Sequence, residues 1–123
     1  MQVLITGASG FVGQHLADHL YSAYPDATLY GTTLSDTEKL TSPITSTYHI
    51  DLKEYEPVRA MLAECKPDCI YHLAAQAFVP RSFEDPWETL ENNIRSQLNL
   101  IQACIELDLH PRMLIISSAE VYG

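Results

Sequence analysis

The sequence predicts an α/β fold built on a doubly wound parallel sheet. Short apolar runs alternate with helical patterns along the chain, and mostly apolar strands are typical of a parallel sheet that helices cover on both faces. Three glycines, Gly7, Gly10 and Gly13, lie in the turn between the first apolar run and the first helix. Together these observations predict a Rossmann-type sheet with strand order 3-2-1-4-5, whose ligand binds at the carboxyl ends of the strands where that order reverses.

The predicted elements follow one another in a simple order. Strands are expected over residues 2–6, 27–32, 47–50, 68–72 and 113–117, with helices over 11–24, 54–65 and 86–107. Pro25 ends the first helix, and the polar stretch 35–46 is expected to be a loop. We expect two helices to bury apolar stripes, namely Val12, Leu16, Leu20 and Ala23 on the first and Leu90, Ile94, Leu98, Ile101 and Ile105 on the last.

Composition narrows the function classes. The 123 residues allow at most one domain, and the net charge of −9 argues against nucleic acid and against anionic membrane surfaces as partners. No apolar run approaches the length of a membrane span. Three cysteines, an odd number, together with a first strand that leaves no room for a signal peptide, predict a reducing, cytoplasmic setting. No metal site is expected.

The glycine loop predicts a site for a pyrophosphate. Gly7 lets the chain turn sharply out of the strand, Gly10 leaves room for the ligand beside the backbone, and Gly13 allows close packing of the new helix. Phe11 and Val12 open that helix, where unpaired N–H groups and a partial positive charge favour an anion. We therefore expect the backbone of these two residues to face a dinucleotide.

The end of the second strand does not decide between NAD and NADP. An acidic residue there would accept a hydrogen bond from a ribose 2′-hydroxyl, whereas an arginine would accommodate a 2′-phosphate. This chain has Thr32, Thr33 and Ser35 instead, whose hydroxyls suit either cofactor, and Asp36 lies farther along.

Two further strand ends hold candidate binding residues. Asp51 and Leu52 follow the third strand, where the carboxylate either accepts from an adenine amino group or caps the next helix. The stretch 73–76, Leu73-Ala74-Ala75-Gln76, follows the fourth strand, and its small residues allow a close approach of backbone to a ribose and a nicotinamide, or serve only a tight exit from the strand. His72 is interpreted as an interior histidine.

The fifth strand ends in residues suited to acid–base chemistry. Ser117, Ser118 and Glu120 follow it, at the edge of the sheet where ligands bind. A hydroxyl can polarise a sugar hydroxyl or carbonyl, and a carboxylate can move a proton to or from carbon. The alternative role is capping of the following turn.

These motifs resemble the extended short-chain dehydrogenase/reductase family, in its nucleotide-sugar epimerase/dehydratase branch. The resemblance covers the whole chain, and the stretch 75–87 is most similar to GDP-mannose 4,6-dehydratases and their reductase relatives. The segments that carry it are 6–13, Asp51-Leu52, 72–76, 82–86, Asn92-Asn93 and 117–123.

The resemblance implies roles for these residues. It implies that Phe11 and Val12 meet the pyrophosphate, that Asp51 and Leu52 bracket the adenine, and that Asn92 and residues 73–76 contact the cofactor. In the implied reaction, C4 of a nucleotide-activated hexose is oxidised with hydride transfer to NAD(P), and Ser118 hydrogen-bonds the C4 oxygen. Glu120 removes the C5 proton, water leaves from C6, and the hydride returns to C6. GDP-mannose as substrate, a slight preference for NADP and a homo-oligomeric full-length enzyme are also implied.

The chain departs from the family pattern in two respects. Ala119 stands where relatives have an acidic or hydroxyl residue, and no Tyr-x-x-x-Lys pair follows Ser118. Tyr55 precedes Arg59 at that spacing, but on the wrong element. We therefore interpret residues 1–123 as an incomplete NAD(P)-binding domain truncated after its fifth strand, inactive alone. A 4-epimerase, a 4-keto reductase and a non-catalytic NAD(P)-binding module remain alternatives.

Overall fold

The computed structural model describes residues 1–76 and 78–117. Five strands form one parallel sheet in the order β3-β2-β1-β4-β5, which confirms the predicted fold class and strand order. The elements are β1 Gln2–Thr6, α1 Phe11–Ala23, β2 Thr28–Thr33, β3 Ser46–His49, α2 Tyr55–Cys65, β4 Cys69–His72, α3 Val79–Glu84, α4 Pro86–Glu106 and β5 Arg112–Ile115.

The core lies on both faces of the sheet, because successive apolar side chains of β1 point to opposite faces. Val3 and Ile5 point into the cluster that includes Ala17 and Leu20 of α1. Leu4, between them, belongs to a second cluster on the opposite face, with Val58, Met61 and Leu62 of α2 and Leu100 and Ala103 of α4. Successive side chains of a strand point to opposite faces, so a central strand buried on both sides is apolar throughout.

The buried face of α1 differs from the predicted stripe. Gly13, Ala17 and Leu20 are buried, whereas Val12 is 60% exposed and Ala23 is also exposed. Small side chains at 13 and 17 let the helix lie close to the sheet, and this turns the contact face away from Val12. The prediction was therefore correct for Leu20, Leu16 is half-buried against the same cluster, and the prediction was wrong for Val12 and Ala23.

The predicted stripe on α4 was wrong at four of its five residues, and the fifth, Ile101, is half-buried. The helix buries Ser96, Leu100, Ala103 and Cys104, while Leu90, Ile94, Leu98 and Ile105 are 49–73% exposed. Apolar residues lie on two sides of this helix, so periodicity alone did not identify the side that packs against α2 and the sheet.

One short helix had not been predicted. α3 begins directly after Phe78 and carries Pro80 in its first turn, which is a favoured position for proline. That proline was the available signal. Within the described parts of the chain, no helix combines the length and the apolar character needed to cross a membrane.

Candidate functional site

An open pocket of about 480 Å³ lies at the carboxyl ends of β1, β2 and β4, where the strand order reverses. It brings together many of the residues singled out from the sequence: Gly7, Gly10, Thr32, Asp51, Leu52, Leu73, Ala74, Ala75, Gln76 and Asn92. It also includes residues that sequence reasoning missed, among them Ser9, Glu38, Lys53 and Glu88. This position is the one at which open α/β sheets bind ligands.

Two glycines of this loop, Gly7 and Gly13, have no room for a side chain. Gly7 has a φ of 68°, and a Cβ there would lie 3.0 Å from the Cα and N atoms of Ala74. A Cβ on Gly13 would lie 2.5 Å from the carbonyl oxygen of Gly7 and 2.9 Å from the Cα of Ala8. The loop therefore joins the start of α1, the end of β1 and the loop after β4 in one tightly packed unit.

The N-terminus of α1 is open towards a ligand. Gly10 is the N-cap and contributes no side-chain hydrogen bond, and the first turn contains no acidic residue. The first N–H groups of a helix have no partner within the helix, and their dipoles favour a negative charge. The side chains of Phe11 and Val12 are exposed and neither residue is among those that line the pocket, so the contact of their backbone with a pyrophosphate stays a prediction.

The buried hydroxyl of Thr6 holds the loop after β4. Its Oγ1 accepts hydrogen bonds from the N–H groups of Leu73 and Ala74, each at 3.1 Å, and lies 2.8 Å from Nδ1 of His72. The two N–H donors use both lone pairs of the hydroxyl, so its proton must be donated to Nδ1. His72 is therefore the neutral tautomer with its proton on Nε2. Burial also lowers the pKa of His72, which likewise favours the neutral form.

Asn93 holds the same loop from the other side. Its Oδ1 accepts from the N–H of Gln76 at 2.7 Å, and its Nδ2 donates to the carbonyl oxygen of Gln76 at 3.2 Å. The neighbouring Asn92 lines the pocket, as was expected for a residue near a cofactor. Sequence reasoning did not identify the part that Asn93 plays, and the Asn92-Asn93 pair was the only signal of it.

Side chains of Asp51 and Asn99 hold the loop after β3. Asp51 Oδ1 accepts from the N–H of Lys53 at 2.9 Å, which closes a turn before α2. The N-cap of α2 is Glu54, so Asp51 stabilises this turn and is not the cap of the helix. Asn99 of α4 donates from Nδ2 to the carbonyl oxygen of Leu52 at 2.9 Å, which fixes the wall of the pocket.

The threonine hydroxyls at the end of β2 are used within the protein. Thr32 is buried and its Oγ1 accepts from the N–H of Gly7 at 3.3 Å. Thr33 lies close to two partners, the carbonyl oxygen of Ser35 at 3.0 Å and Nδ1 of His49 at 2.6 Å. The hydroxyls considered as cofactor contacts thus already have partners inside the fold.

The remaining predicted site residues lie at the end of the chain or away from the pocket. Ser118 and Glu120 fall outside the described residues. Ser117 is exposed and is not among the residues that line the pocket. Tyr55 begins α2, also away from the pocket, and desolvation together with the carboxylate of Glu106 raises its pKa to about 12. At that pKa the hydroxyl of Tyr55 stays protonated near neutral pH.

The family of the chain follows from comparison with known proteins. A family model described as GDP-mannose 4,6 dehydratase matches residues 4–123. The chain belongs to this family. Members of this family are nucleotide-sugar dehydratases, epimerases and reductases that use NAD(P). The resemblance stated from the sequence motifs is therefore confirmed.

Individual relatives cover the chain almost completely. A GDP-6-deoxy-D-mannose reductase of Pseudomonas aeruginosa is 36% identical over 122 residues, which is 99% of this chain and 35% of the relative. A UDP-glucose 4-epimerase of Lacticaseibacillus casei is 26% identical over 123 residues, 100% of this chain and 37% of the relative. The chain thus spans little more than a third of the length of these relatives.

A solved structure shows the same fold with a cofactor. The UDP-glucose 4-epimerase of Thermus thermophilus, in complex with NAD, superimposes with a TM-score of 0.78 at 31% identity over 89% of this chain and 35% of that one. In the present chain Gly10 is exposed at the pocket and has no side chain there, and the uncapped end of α1 faces the same pocket. Both features fit the pyrophosphate of a dinucleotide.

Proposed function

We propose that this chain is the NAD(P)-binding part of a longer enzyme that modifies a nucleotide-activated hexose. The observation that carries the proposal is the pocket itself, in which the glycine loop, the uncapped end of α1 and the loop 73–76 meet at the reversal of strand order. Bound NAD(P) would supply reversible hydride transfer. Gly10 and the backbone N–H groups of Phe11 and Val12 would hold its pyrophosphate, and Leu73 to Gln76 its nicotinamide ribose.

The proposed reaction is 4,6-dehydration of GDP-mannose. The family model and the motif over 75–87 support it. In this proposal the hydroxyl of Ser118 hydrogen-bonds the sugar C4 oxygen, and the carboxylate of Glu120 removes the C5 proton, which a C4 ketone makes acidic. The C6 hydroxyl would then leave as water, and the hydride taken from C4 would return to C6. The base for the C4 hydroxyl and the sugar-binding region belong to a part of the enzyme beyond these residues.

A second candidate is reduction of a GDP-4-keto-6-deoxyhexose. The 36% identity to a GDP-6-deoxy-D-mannose reductase favours it. Both candidates use the same dinucleotide site, and they differ in whether a C5 proton must be removed. A 4-epimerase remains a further alternative, as does a module that binds NAD(P) without catalysis.

Product analysis on the complete protein separates these candidates. Incubation with GDP-mannose and either dinucleotide should give a 4-keto-6-deoxy sugar if the enzyme is a dehydratase. Oxidation of NAD(P)H that depends on a GDP-4-keto-6-deoxyhexose would identify the reductase. Binding of dinucleotide with neither turnover would favour the non-catalytic module. The chain 1–123 alone should bind cofactor weakly and show no turnover. A cytoplasmic location and a homo-oligomeric enzyme stay predictions.

A further inference from the structure

The carboxylate of Glu38 occupies the corner of the pocket at the end of β2. The segment between β2 and β3 folds back so that Glu38 Oε2 accepts from the hydroxyl of Ser9, in the glycine loop, and Oε1 accepts from the N–H of Ser35 at 3.1 Å. The half-buried side chain lines the same pocket as Gly10 and Thr33. Glu38 therefore places an acidic group at the end of β2, although β2 itself ends in threonines and contains no acidic residue.

The segment that carries Glu38 is anchored to α1. Gln14 Oε1 accepts from the hydroxyl of Thr41 at 2.5 Å, and its Nε2 donates to the carbonyl oxygen of Ser9 at 2.8 Å. The hydroxyl of Ser42 donates to the carbonyl oxygen of Gln14 at 2.9 Å. One glutamine thus links the glycine loop and the segment 38–42, which fixes the carboxylate beside that loop.

Few hydrogen-bond donors or positive charges near Glu38 are free to bind another anion. The hydroxyl of Ser9 and the N–H of Ser35 already donate to the carboxylate. The ammonium of Lys53 lies 3.8 Å from Oδ2 of Asp51, and Lys39 is exposed and does not line the pocket. A phosphate placed here would compete with Glu38 for the same donors and would be repelled by its charge.

The same corner suits a hydroxyl group. An ionised carboxylate has about four lone-pair positions, and Glu38 uses two of them for Ser9 and Ser35. The free positions can accept a hydrogen bond from a ribose hydroxyl. In dinucleotide-binding folds of this kind, an acidic residue beyond the glycine loop accepts from the 2′-hydroxyl of the adenosine ribose, whereas NADP carries a phosphate at that atom.

We propose that Glu38 is the specificity-determining residue that makes this site select NAD(H) over NADP(H). The inference rests on the proposed function, because it assumes that a dinucleotide binds across the glycine loop. It reverses the slight preference for NADP that the family resemblance implied. The sequence did not indicate it because Glu38 stands five positions beyond the last residue of β2, Thr33, and reaches the pocket only through the fold of the intervening segment.

The test compares affinities and needs no turnover. Calorimetric titration of the complete protein should show NADH binding at least about tenfold more tightly than NADPH, which corresponds to about 1.4 kcal/mol. Glu38→Gln keeps a side chain that can hydrogen-bond Ser9 and Ser35 but removes the charge. It should lower the preference for NADH at least about tenfold, mainly by strengthening NADPH.

Matched probes and a matched variant localise the effect. AMP and adenosine 2′,5′-bisphosphate, which lack the nicotinamide and differ from each other only in the 2′-phosphate, should show the same change of preference in Glu38→Gln. Asp36→Asn removes an equal charge two residues away, outside the pocket, and should change the ratio by less than about threefold. Raising the salt concentration should weaken the discrimination of the wild-type protein more than that of Glu38→Gln, because salt screens charge repulsion.

The possible results separate this inference from the proposed function. If NADPH binds the wild-type protein as tightly as NADH, or if Glu38→Gln and Glu38→Ala both fold and leave the ratio unchanged, Glu38 does not select the cofactor although the dinucleotide site stands. If neither dinucleotide nor AMP binds the folded wild-type protein, the proposed function fails, and this inference fails with it. Circular dichroism and thermal melting establish that each variant is folded.

Discussion

The two sides of the pocket are built with different chemistry. On the side of β2, the glycine loop is joined to the segment 38–42 through a carboxylate, Glu38, in a half-open corner. On the side of β4, the loop 73–76 is held by the neutral groups of Thr6, His72 and Asn93. Thr6 and His72 are buried.

This difference indicates that the side of β4 mainly contributes to stability and the side of β2 mainly to the choice of ligand. Buried polar groups that satisfy one another fix a single geometry, and breaking one of them leaves others unpaired. A charged group at an open corner contributes little to stability but strongly affects which ligand charge is accepted. Changes on the side of β4 should therefore lower stability and affect NADH and NADPH equally, whereas changes at Glu38 should alter the ratio between them.

The largest effect is expected where the two sides meet, at the glycine loop. In Gly13→Ala, the new methyl group would lie 2.5 Å from the carbonyl oxygen of Gly7, whose own backbone packs against Ala74. The loop and α1 must then separate, and overpacking of this kind costs about 1–3 kcal/mol, more than the roughly 1 kcal/mol that alanine gains over glycine in a helix.

Urea unfolding and calorimetry on the complete protein check this prediction. The affinity for both dinucleotides should fall together by at least about tenfold. Gly10→Ala is the matched control for the unfolding measurement alone, because its methyl group would meet only the carbonyl oxygen of Gly7, at 3.2 Å, at an exposed position that faces the pocket. A Gly13→Ala protein as stable as the wild type would contradict the close packing described for α1.

The second largest loss of stability is expected from Thr6→Val, which changes only the side of β4. The change removes the hydroxyl that serves Leu73, Ala74 and His72 and leaves their polar groups without that partner. A buried unsatisfied group costs about 1–3 kcal/mol, so the free energy of unfolding should fall by at least about 2 kcal/mol. Thr6→Ser keeps the hydroxyl and should lose less than half as much. An altered NADH/NADPH ratio in Thr6→Val would argue against the division proposed between the two sides.

A smaller effect is expected from Asn93→Ala. The two hydrogen bonds to the backbone of Gln76 are lost, at about 0.5–1.5 kcal/mol each, and the loop 73–76 becomes less well ordered. Thermal unfolding should show a lower midpoint for Asn93→Ala than for Asn92→Ala, which removes a side chain that lines the pocket without this double contact. Equal midpoints would show that the contact of Asn93 with Gln76 does not stabilise the loop.

The smallest expected effect is a dependence of the free energy of unfolding on pH that arises from His72. Burial lowers its pKa in the folded state, so below the ordinary value of 6.5 the unfolded chain binds a proton that the folded protein does not. The stabilisation by neutral His72 is complete above about pH 6.5 and is lost as the pH falls towards the lowered value, with a slope of at most about 1.4 kcal/mol per pH unit.

His72→Asn isolates this contribution. Asparagine can present an acceptor near the position of Nδ1 to the hydroxyl of Thr6, but it does not titrate. The difference in unfolding free energy between the wild-type protein and His72→Asn should therefore change between pH 7 and pH 5, in favour of the variant at low pH. A constant difference over that range would show that His72 does not gain its proton on unfolding in this way.

Sequence patterns predicted the fold and much of the pocket correctly. The apolar runs of the strands and the glycines of the first turn follow from local requirements, since a strand buried on both faces must be apolar and a turn against another backbone has no space for a Cβ. The strand ends that line the pocket, such as Asp51 and the stretch 73–76, could be predicted because parallel strands end at one edge.

The sequence by itself thus determined the sheet, its strand order and the place where a dinucleotide site is expected. Only the tertiary structure decided which side of α4 is buried, that Asn93 holds the loop beside Asn92, and that Glu38 reaches the corner at the end of β2. The physical reason is that these outcomes depend on contacts between segments far apart in sequence. Periodicity and turn chemistry record only what each segment requires for itself, so they contain no information about such contacts.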